Sequence, residues 1–301
     1  MEGARAELFH VSENASFLVT QANGLRFVLR LSMAGARRRE VVRAELEFMA
    51  RFGTIARVAT PMAGRDGEFA QAIAFESEGE RIAVLFTFEV GTRLGLSGMT
   101  PALMGELGRL AAKAHEMTRH WSQEAQRPQL LPDALLPPNA PWGDWRRSPG
   151  VTRQVEPVLA RAEALVKGRL NTLERSSDAF GLIHADLYGN NLLRDGDELV
   201  VLDFDDSGFG WHLYDLAASL SYREASADAD EFKHAWLDAY LQRRNLAKGQ
   251  RNEIETLIML RRLTLLAWIG MHAETELAAE ATSGFADGTA LLAERFLGRL
   301  G

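Results

Sequence analysis

The run His184-Ala185-Asp186-Leu187-Tyr188-Gly189-Asn190-Asn191, followed by Asp203-Phe204-Asp205, decides how this chain folds. Asp203 closes the apolar run Leu199-Val200-Val201-Leu202, which reads as a short strand after the turn Asp195-Gly196-Asp197. Phosphoryl transfer needs this set of groups: one carboxylate to take or orient the proton of an attacking hydroxyl, and an amide oxygen plus a second carboxylate to hold Mg²⁺ against nucleotide phosphates. Mg²⁺ takes hard oxygen ligands and keeps waters and phosphate oxygens in its shell. The chemistry is mostly positioning and charge neutralisation, so a few groups suffice. A lone His-x-Asp carries little information. Asp186 with Asn191, together with a strand-terminal Asp203, carries much more.

Upstream, Phe17-Leu18-Val19 and Phe27-Val28-Leu29 flank Asn23-Gly24, a hairpin signal. A charged helix follows over Arg37 to Arg51, and then two strand-like runs, Phe69 to Phe75 and Ile82 to Phe88, joined by a polar turn at Glu76 to Glu80. The pattern is β-β-α-β-β. Gly91 to Gly98 reads as a linker. Thr100-Pro101 starts a helix whose apolar positions Leu103, Leu107, Leu110, Ala111 and Ala114 share one face. A proline-rich connection with Trp142 and Trp145 runs to Gly150, a helix spans Val151 to Leu173, and everything after Leu213 reads as helical. Leu263 to Ile269, beside Arg261 and Arg262, reads as buried helix. The chain is expected to divide into a strand-rich lobe, 1–90, and a helical lobe, 91–301.

Composition narrows the classes. Apolar residues make up 47% and charged residues 25% of 301 residues, enough for a sizeable core and unlike a disordered chain. A net charge of −7 argues against nucleic acid or an anionic membrane as partner. The absence of cysteine excludes a disulfide framework, a thiolate zinc site and a Cys nucleophile. The histidines lack zinc-site spacing. Met1 to Val11 lacks the apolar segment of a signal peptide, and no run reaches the roughly 20 apolar residues of a membrane span, so a cytoplasmic location is expected.

The segment His184 to Asn191 and the run Asp203 to Leu216 resemble the catalytic and metal loops of the aminoglycoside phosphotransferase and homoserine kinase-like family, within the protein-kinase-like superfamily. The branch it looks most like holds homoserine kinase and a bacterial stress-response serine/threonine kinase. The resemblance implies an α+β, bilobal protein-kinase-like fold, with an antiparallel sheet and one helix in the N-terminal nucleotide-binding lobe and a mainly helical catalytic and acceptor-binding lobe. It implies ATP as phosphate donor and Mg²⁺ as metal. By resemblance Asp186 is catalytic, while Asn191 and Asp203 bind metal. Arg30 stands where many relatives have lysine and is expected to clamp the phosphates, with Glu45 as partner ahead of its neighbours Glu40 and Glu47. A guanidinium suits phosphate well. Asn14 and Ser16 are placed on a glycine-free phosphate loop, Ser12 to Ser16. Phe88 and Val90 are placed on a hinge whose main chain meets adenine. His184 is expected to brace the loop, and Asp215 to accept hydrogen bonds from the loop backbone. For Asp205 the readings of second magnesium ligand, contact to a cationic acceptor and solvated residue stay open. The expected acceptor is a hydroxyl on a small molecule such as an aminoglycoside or homoserine. The alternatives are a protein Ser/Thr acceptor and a catalytically silent nucleotide-binding module.

Overall fold

The Asn23-Gly24 signal does what its chemistry dictates: Gly24 adopts φ 83°, and the strands on either side pair antiparallel from Asn14↔Ser32 to Thr20↔Arg26. The computed structural model describes residues 3–35, 37–75, 79–121, 126–138 and 140–301; most of the turn expected at Glu76 to Glu80 lies outside them. In chain order the elements are β1 (Arg5–Val11), β2 (Asn14–Thr20), β3 (Arg26–Ser32), α1 (Arg39–Phe52), β4 (Arg57–Val58), β5 (Pro61–Met62), β6 (Gln71–Phe75), β7 (Gly79–Thr87), β8 (Thr92–Arg93), α2 (Pro101–Met117), α3 (Pro132–Leu135) and α4 (Glu156–Thr172). Then come β9 (Phe180–Ile183), β10 (Leu192–Asp195), β11 (Glu198–Val201), β12 (Gly208–Trp211), α5 (Tyr214–Ser219), α6 (Ala229–Leu241), α7 (Ile254–Met271) and α8 (Glu276–Leu300).

The chain forms two compact units. The first holds Met1–Leu94, Glu124–Arg127 and Asn191–Asp205. The second holds Gly95–Gln123, Pro128–Asn190 and Asp206–Gly301. The first unit carries an antiparallel sheet in the order β1-β2-β3-β7-β5, with β6 also on β7, and a second sheet in the order β4-β11-β10-β8. Its core is aromatic. Phe48 and Phe52 of α1 meet edge-to-face at 5.8 Å, and Phe204 packs on both, at 5.6 and 5.0 Å. Each such pair adds about 0.5–1.5 kcal/mol beyond its area. Phe204 is therefore anchored on α1, and its flanking aspartates are positioned with it.

In the second unit α2 begins at Thr100, whose hydroxyl caps the Leu103 N–H at 3.2 Å. Its buried face packs along α6. Trp145, Trp211, Trp236 and Tyr240 are fully buried core residues. Strands β9 and β12, which the sequence pattern did not separate from their surroundings, pair antiparallel from Gly208↔Ile183 to Trp211↔Phe180. Residues 207–221 are all buried, and α5 begins at Tyr214.

Close approach of α2 and α6 depends on Gly108, where a Cβ would run into the main chain of Trp236. Gly108→Ala is expected to lower stability by about 1–3 kcal/mol through overpacking. Gly168→Ala on α4, where a Cβ meets nothing within 4 Å, is expected to be neutral or to stabilise by up to about 1 kcal/mol through helix propensity. Urea unfolding of both variants checks the contrast.

Candidate active site

In the first unit a chain of alternating charge forms around Arg30, which sits in mid-β3 opposite Ser16 and Val84. Its partner is Glu45 of α1: Arg30 Nη1 donates to Oε1 at 2.7 Å and Nη2 to Oε2 at 3.0 Å. The bidentate fork is the strong form of this pair, and the Glu45 side chain is only 1% exposed. Burial alone would lower the pKa of Arg30. The carboxylates of Glu45, Asp205 and Asp203 more than offset it and hold the guanidinium charged, above its ordinary range.

Asp205 is buried, which removes the solvated reading left open above. Its Oδ2 accepts from Arg37 Nη2 at 2.7 Å and from Asn14 Nδ2 at 2.9 Å. Burial pushes its pKa up, yet Arg30, Arg37 and the Asn14 amide bring it below the ordinary carboxylate value. Arg127 closes the cluster. It donates to the main-chain oxygens of Asp205 at 2.5 Å, Phe204 at 3.2 Å and Val41 at 3.3 Å. The expected phosphate loop is shorter than its predicted span. Only Ser12 and Glu13 separate β1 from β2, because Asn14 and Ser16 are already strand residues paired with β3. Phe88 and Val90 follow β7. The guanidinium of Arg26 lies 4.0 Å over the Phe88 ring, and Val90 is exposed.

Asn191 and Asp203 flank the β10–β11 hairpin of the same unit. The register pairs Leu192 with Val201, and the Asn191 carbonyl accepts from the Leu202 N–H at 2.9 Å. The two residues therefore stand at one end of the hairpin. Asp203 is exposed and adopts φ 58°, a left-handed conformation that a non-glycine residue holds only when its surroundings impose it.

The second unit positions Asp186. Asp215 is 1% exposed and receives the loop backbone: Ala185 N–H donates to Oδ1 at 2.7 Å and His184 N–H to Oδ2 at 3.4 Å. Those bonds hold Ala185 at φ 66°. Behind Asp215, His115 Nε2 lies 2.9 Å from Oδ2, with its Nδ1 3.1 Å from the Tyr240 hydroxyl. Burial, aided by Arg244, holds the His115 pKa well below its usual value, so the imidazole is neutral near pH 7. Burial pushes Asp215 up to about 6 against the opposing pull of His184, the loop N–H groups and Arg261. Asp186 N–H donates to His184 Nδ1 at 3.3 Å, so His184 braces the loop from within.

The Asp186 carboxylate is ion-paired with Arg261 of α7, a residue for which the sequence reading gave no role. Arg37 and Arg127 were missed as well. Arg261 had a visible signal, an arginine within an apolar helix. Arg127 had none, since it lies in an irregular connection.

Residues 7–250 match the model of the Phosphotransferase enzyme family, APH. An amicoumacin kinase of Bacillus subtilis (strain 168) is 23% identical over 256 residues, spanning 79% of this chain and 72% of that protein. A structure of a microcompartment-associated aminopropanol kinase superposes with a TM-score of 0.87 at 30% identity, over 100% of this chain and 94% of that one. Amicoumacin kinase hAmiN, solved with AMP-PNP, Ca²⁺ and Ami, superposes at 0.76 and 18% identity, over 95% and 87%. The α+β kinase-like fold implied by the motif is the fold found. Among the described residues no helix is long and apolar enough to cross a membrane.

Because the folded pKa of Asp215 is raised, its contribution to stability is full below about pH 4 and is lost as pH rises through about 6. A shift of this size corresponds to about 3 kcal/mol. The stability advantage of the wild type over Asp215→Asn should therefore shrink between pH 4 and pH 6.5. Urea unfolding at both pH values checks this; an advantage that grows with pH contradicts it.

Proposed function

We propose that this chain, which belongs to the Phosphotransferase enzyme family and is a phosphotransferase acting on a hydroxyl group, takes its phosphoryl group from ATP with Mg²⁺ and delivers it to a small amino alcohol. The observation that carries the reaction is the strapped Asp186. Its loop backbone is fastened to buried Asp215 and its carboxylate to Arg261. A carboxylate fixed in this way can accept a hydrogen bond from an acceptor hydroxyl and take its proton as the oxygen attacks the γ-phosphorus in line. Fixing it beforehand reduces the entropy lost in reaching the reactive geometry.

Asn191 and Asp203 are the proposed metal ligands. They fit Mg²⁺ by chemistry: both are hard oxygen donors at one end of a hairpin, one of them exposed. Among the described residues no cluster of three or more His, Cys, Asp or Glu could hold an ion alone. An ion bound there would complete its shell with phosphate oxygens and water, and it would neutralise charge on the nucleotide phosphates. Arg30, kept charged and oriented by Glu45, is assigned to the phosphates. Asn14 and Ser16 are assigned to their oxygens, and the main chain at Phe88 and Val90 to the adenine edge.

The amino-alcohol acceptor is supported by likeness over the full chain to the aminopropanol kinase. A small acceptor is favoured over a protein by residues 207–213, which are all buried. Strand β12 is paired with β9 there, so this segment offers a peptide no exposed strand platform.

Coupled ADP detection with 1-amino-2-propanol, ethanolamine, choline, homoserine, methylthioribose, an aminoglycoside and a generic protein substrate tests the acceptor. Turnover is expected with a small amino alcohol. Turnover with the protein alone, or ATP binding with no turnover across the panel, rejects this reading. Asp186→Ala should lower kcat by about 10²–10⁴-fold. Asp203→Ala should remove the Mg²⁺-dependent part of ATP affinity, read by calorimetry.

A further inference from the structure

Helix α7 is apolar, yet it buries two consecutive arginines, each only 4% exposed. Consecutive helical residues face different directions, and these two serve different purposes. Arg262 is absorbed by the scaffold. Its Nη1 donates to Glu224 Oε2 at 2.8 Å, its Nε to Thr289 Oγ1 at 2.9 Å and its Nη2 to the Phe285 carbonyl at 3.2 Å. The guanidinium also lies 3.5 Å over the Phe285 ring.

Arg261 points to the loop instead. Its Nε donates to Ser221 Oγ at 2.9 Å and its Nη1 to the Ala185 carbonyl at 3.5 Å, while Nη2 donates to Asp186 Oδ1. One rigid guanidinium thus spans the residue held left-handed, the carboxylate after it and the chain following α5. Other titratable groups also face this site. Tyr188, buried in the same loop, and Tyr222, half-buried after α5, have pKa values raised chiefly by loss of hydration. Tyr214 of α5 and Asp206 face Arg261 itself. At neutral pH both tyrosine hydroxyls near Asp186 are uncharged, and Arg261 sets a positive charge directly against its carboxylate. Burial alone would lower the pKa of Arg261; Asp186, with smaller help from its other neighbours, keeps it above the ordinary value.

We propose that Arg261 is a positioning residue for phosphoryl transfer: its guanidinium fixes the rotation of the Asp186 carboxylate and keeps that carboxylate ionised and aimed at the acceptor hydroxyl. This rests on the reading of Asp186 given above. A planar fork is suited to the task, because it holds a carboxylate oxygen and the adjacent main chain in one plane. An ammonium supplies the charge without the fork.

Arg261→Gln, Arg261→Lys and Arg262→Gln, made in the full chain, test the assignment. The carboxyl ¹³C resonance of Asp186, identified by its loss in Asp186→Asn, is followed against pH in each. In Arg261→Gln it should titrate at higher pH than in the wild type, because the compensating charge is gone. Arg261→Lys should restore much of that titration. Steady-state rates use ATP and the fastest acceptor of the panel. Arg261→Gln should lower kcat by about 10- to 100-fold, the scale set by misplacing a reacting group, with KM for ATP little changed and partial rescue in Arg261→Lys. Arg262→Gln should lower the melting temperature and leave the Asp186 titration where it was.

An unmoved Asp186 titration in Arg261→Gln, a kcat that rises, or the same response in the Arg261 and Arg262 variants overturns the proposal. If Arg261→Gln does not fold, Ser221→Ala decides: it removes the acceptor of Nε alone and should lower kcat in the same direction, and an unchanged kcat rejects the proposal. The carboxyl titration needs no acceptor. It therefore judges Arg261 even where the panel gives no turnover, whereas full activity in Asp186→Ala rejects only the role given to Asp186.

Discussion

The buried carboxylate of Asp215 is the constraint on which the second unit's chemistry depends. It takes two main-chain N–H groups that the turn at Ala185 leaves without a strand partner. An orphaned buried N–H costs about 1–3 kcal/mol, and left-handed backbone at a non-glycine residue costs about 1–2 kcal/mol more. Asp215 offsets both at once. Its own cost is the loss of hydration, which appears as its raised pKa. That cost is limited by neutral His115, which bonds the same carboxylate and is in turn fixed by Tyr240. The catalytic loop thus rests on a hydrogen-bonded column that reaches into the α2–α6 core.

The first unit uses a different principle. It places several charges in a poorly hydrated region and satisfies them against one another. Arg30 is forked to Glu45, Asp205 is bound by Arg37 and Asn14, and Arg127 collects three main-chain oxygens. Removing one partner from such a cluster strands the others, which costs more than the net worth of any single pair. Asp205 therefore acts within this structure as a tie between the β2 strand and the Asp203-Phe204-Asp205 turn. Phe204 supplies the apolar half of the tie by packing on Phe48 and Phe52. Asp203 is left exposed at the end of the motif.

What could be read from the sequence was whatever local chemistry encodes. The Asn23-Gly24 hairpin, the Thr100-Pro101 helix start and the paired strands around Asp195-Gly196-Asp197 rest on residues that set their own backbone angles. The four-residue strands β9 and β12 could not be read, because Phe-Gly-Leu-Ile and Gly-Phe-Gly-Trp lack alternation and are strands only by pairing with each other. The membership of Asn191–Asp205 in the same unit as the first ninety-odd residues is likewise a matter of long-range pairing: β8 joins β10, and β4 joins β11 in parallel. The Ser12–Ser16 segment was read as a loop because its residues are polar, but the β2–β3 register extends the ladder through Asn14. Partner identities among buried arginines are three-dimensional facts. Charge in an apolar helix announces a buried ion pair without naming its partner.

The strained positions point the same way. The non-glycine residues with positive φ are Ala185, Asp203 and Tyr222 among those described. Ala185 precedes Asp186, Asp203 is the expected metal ligand itself, and Tyr222 packs against Tyr188 of the catalytic loop at 5.9 Å. Each is held by neighbours that over-determine it: Asp215 for the first, the anchored Phe204 for the second, and the rings of Tyr188 and Phe285 for the third. Glycine would adopt these angles without strain, but it would also give the backbone freedom to leave them. A side chain that resists left-handed geometry, pinned there by its surroundings, leaves the adjacent carboxylate fewer orientations to lose when it meets its substrate. Phosphoryl transfer rewards that economy, since the protein's contribution lies in where charges are placed before the reaction begins.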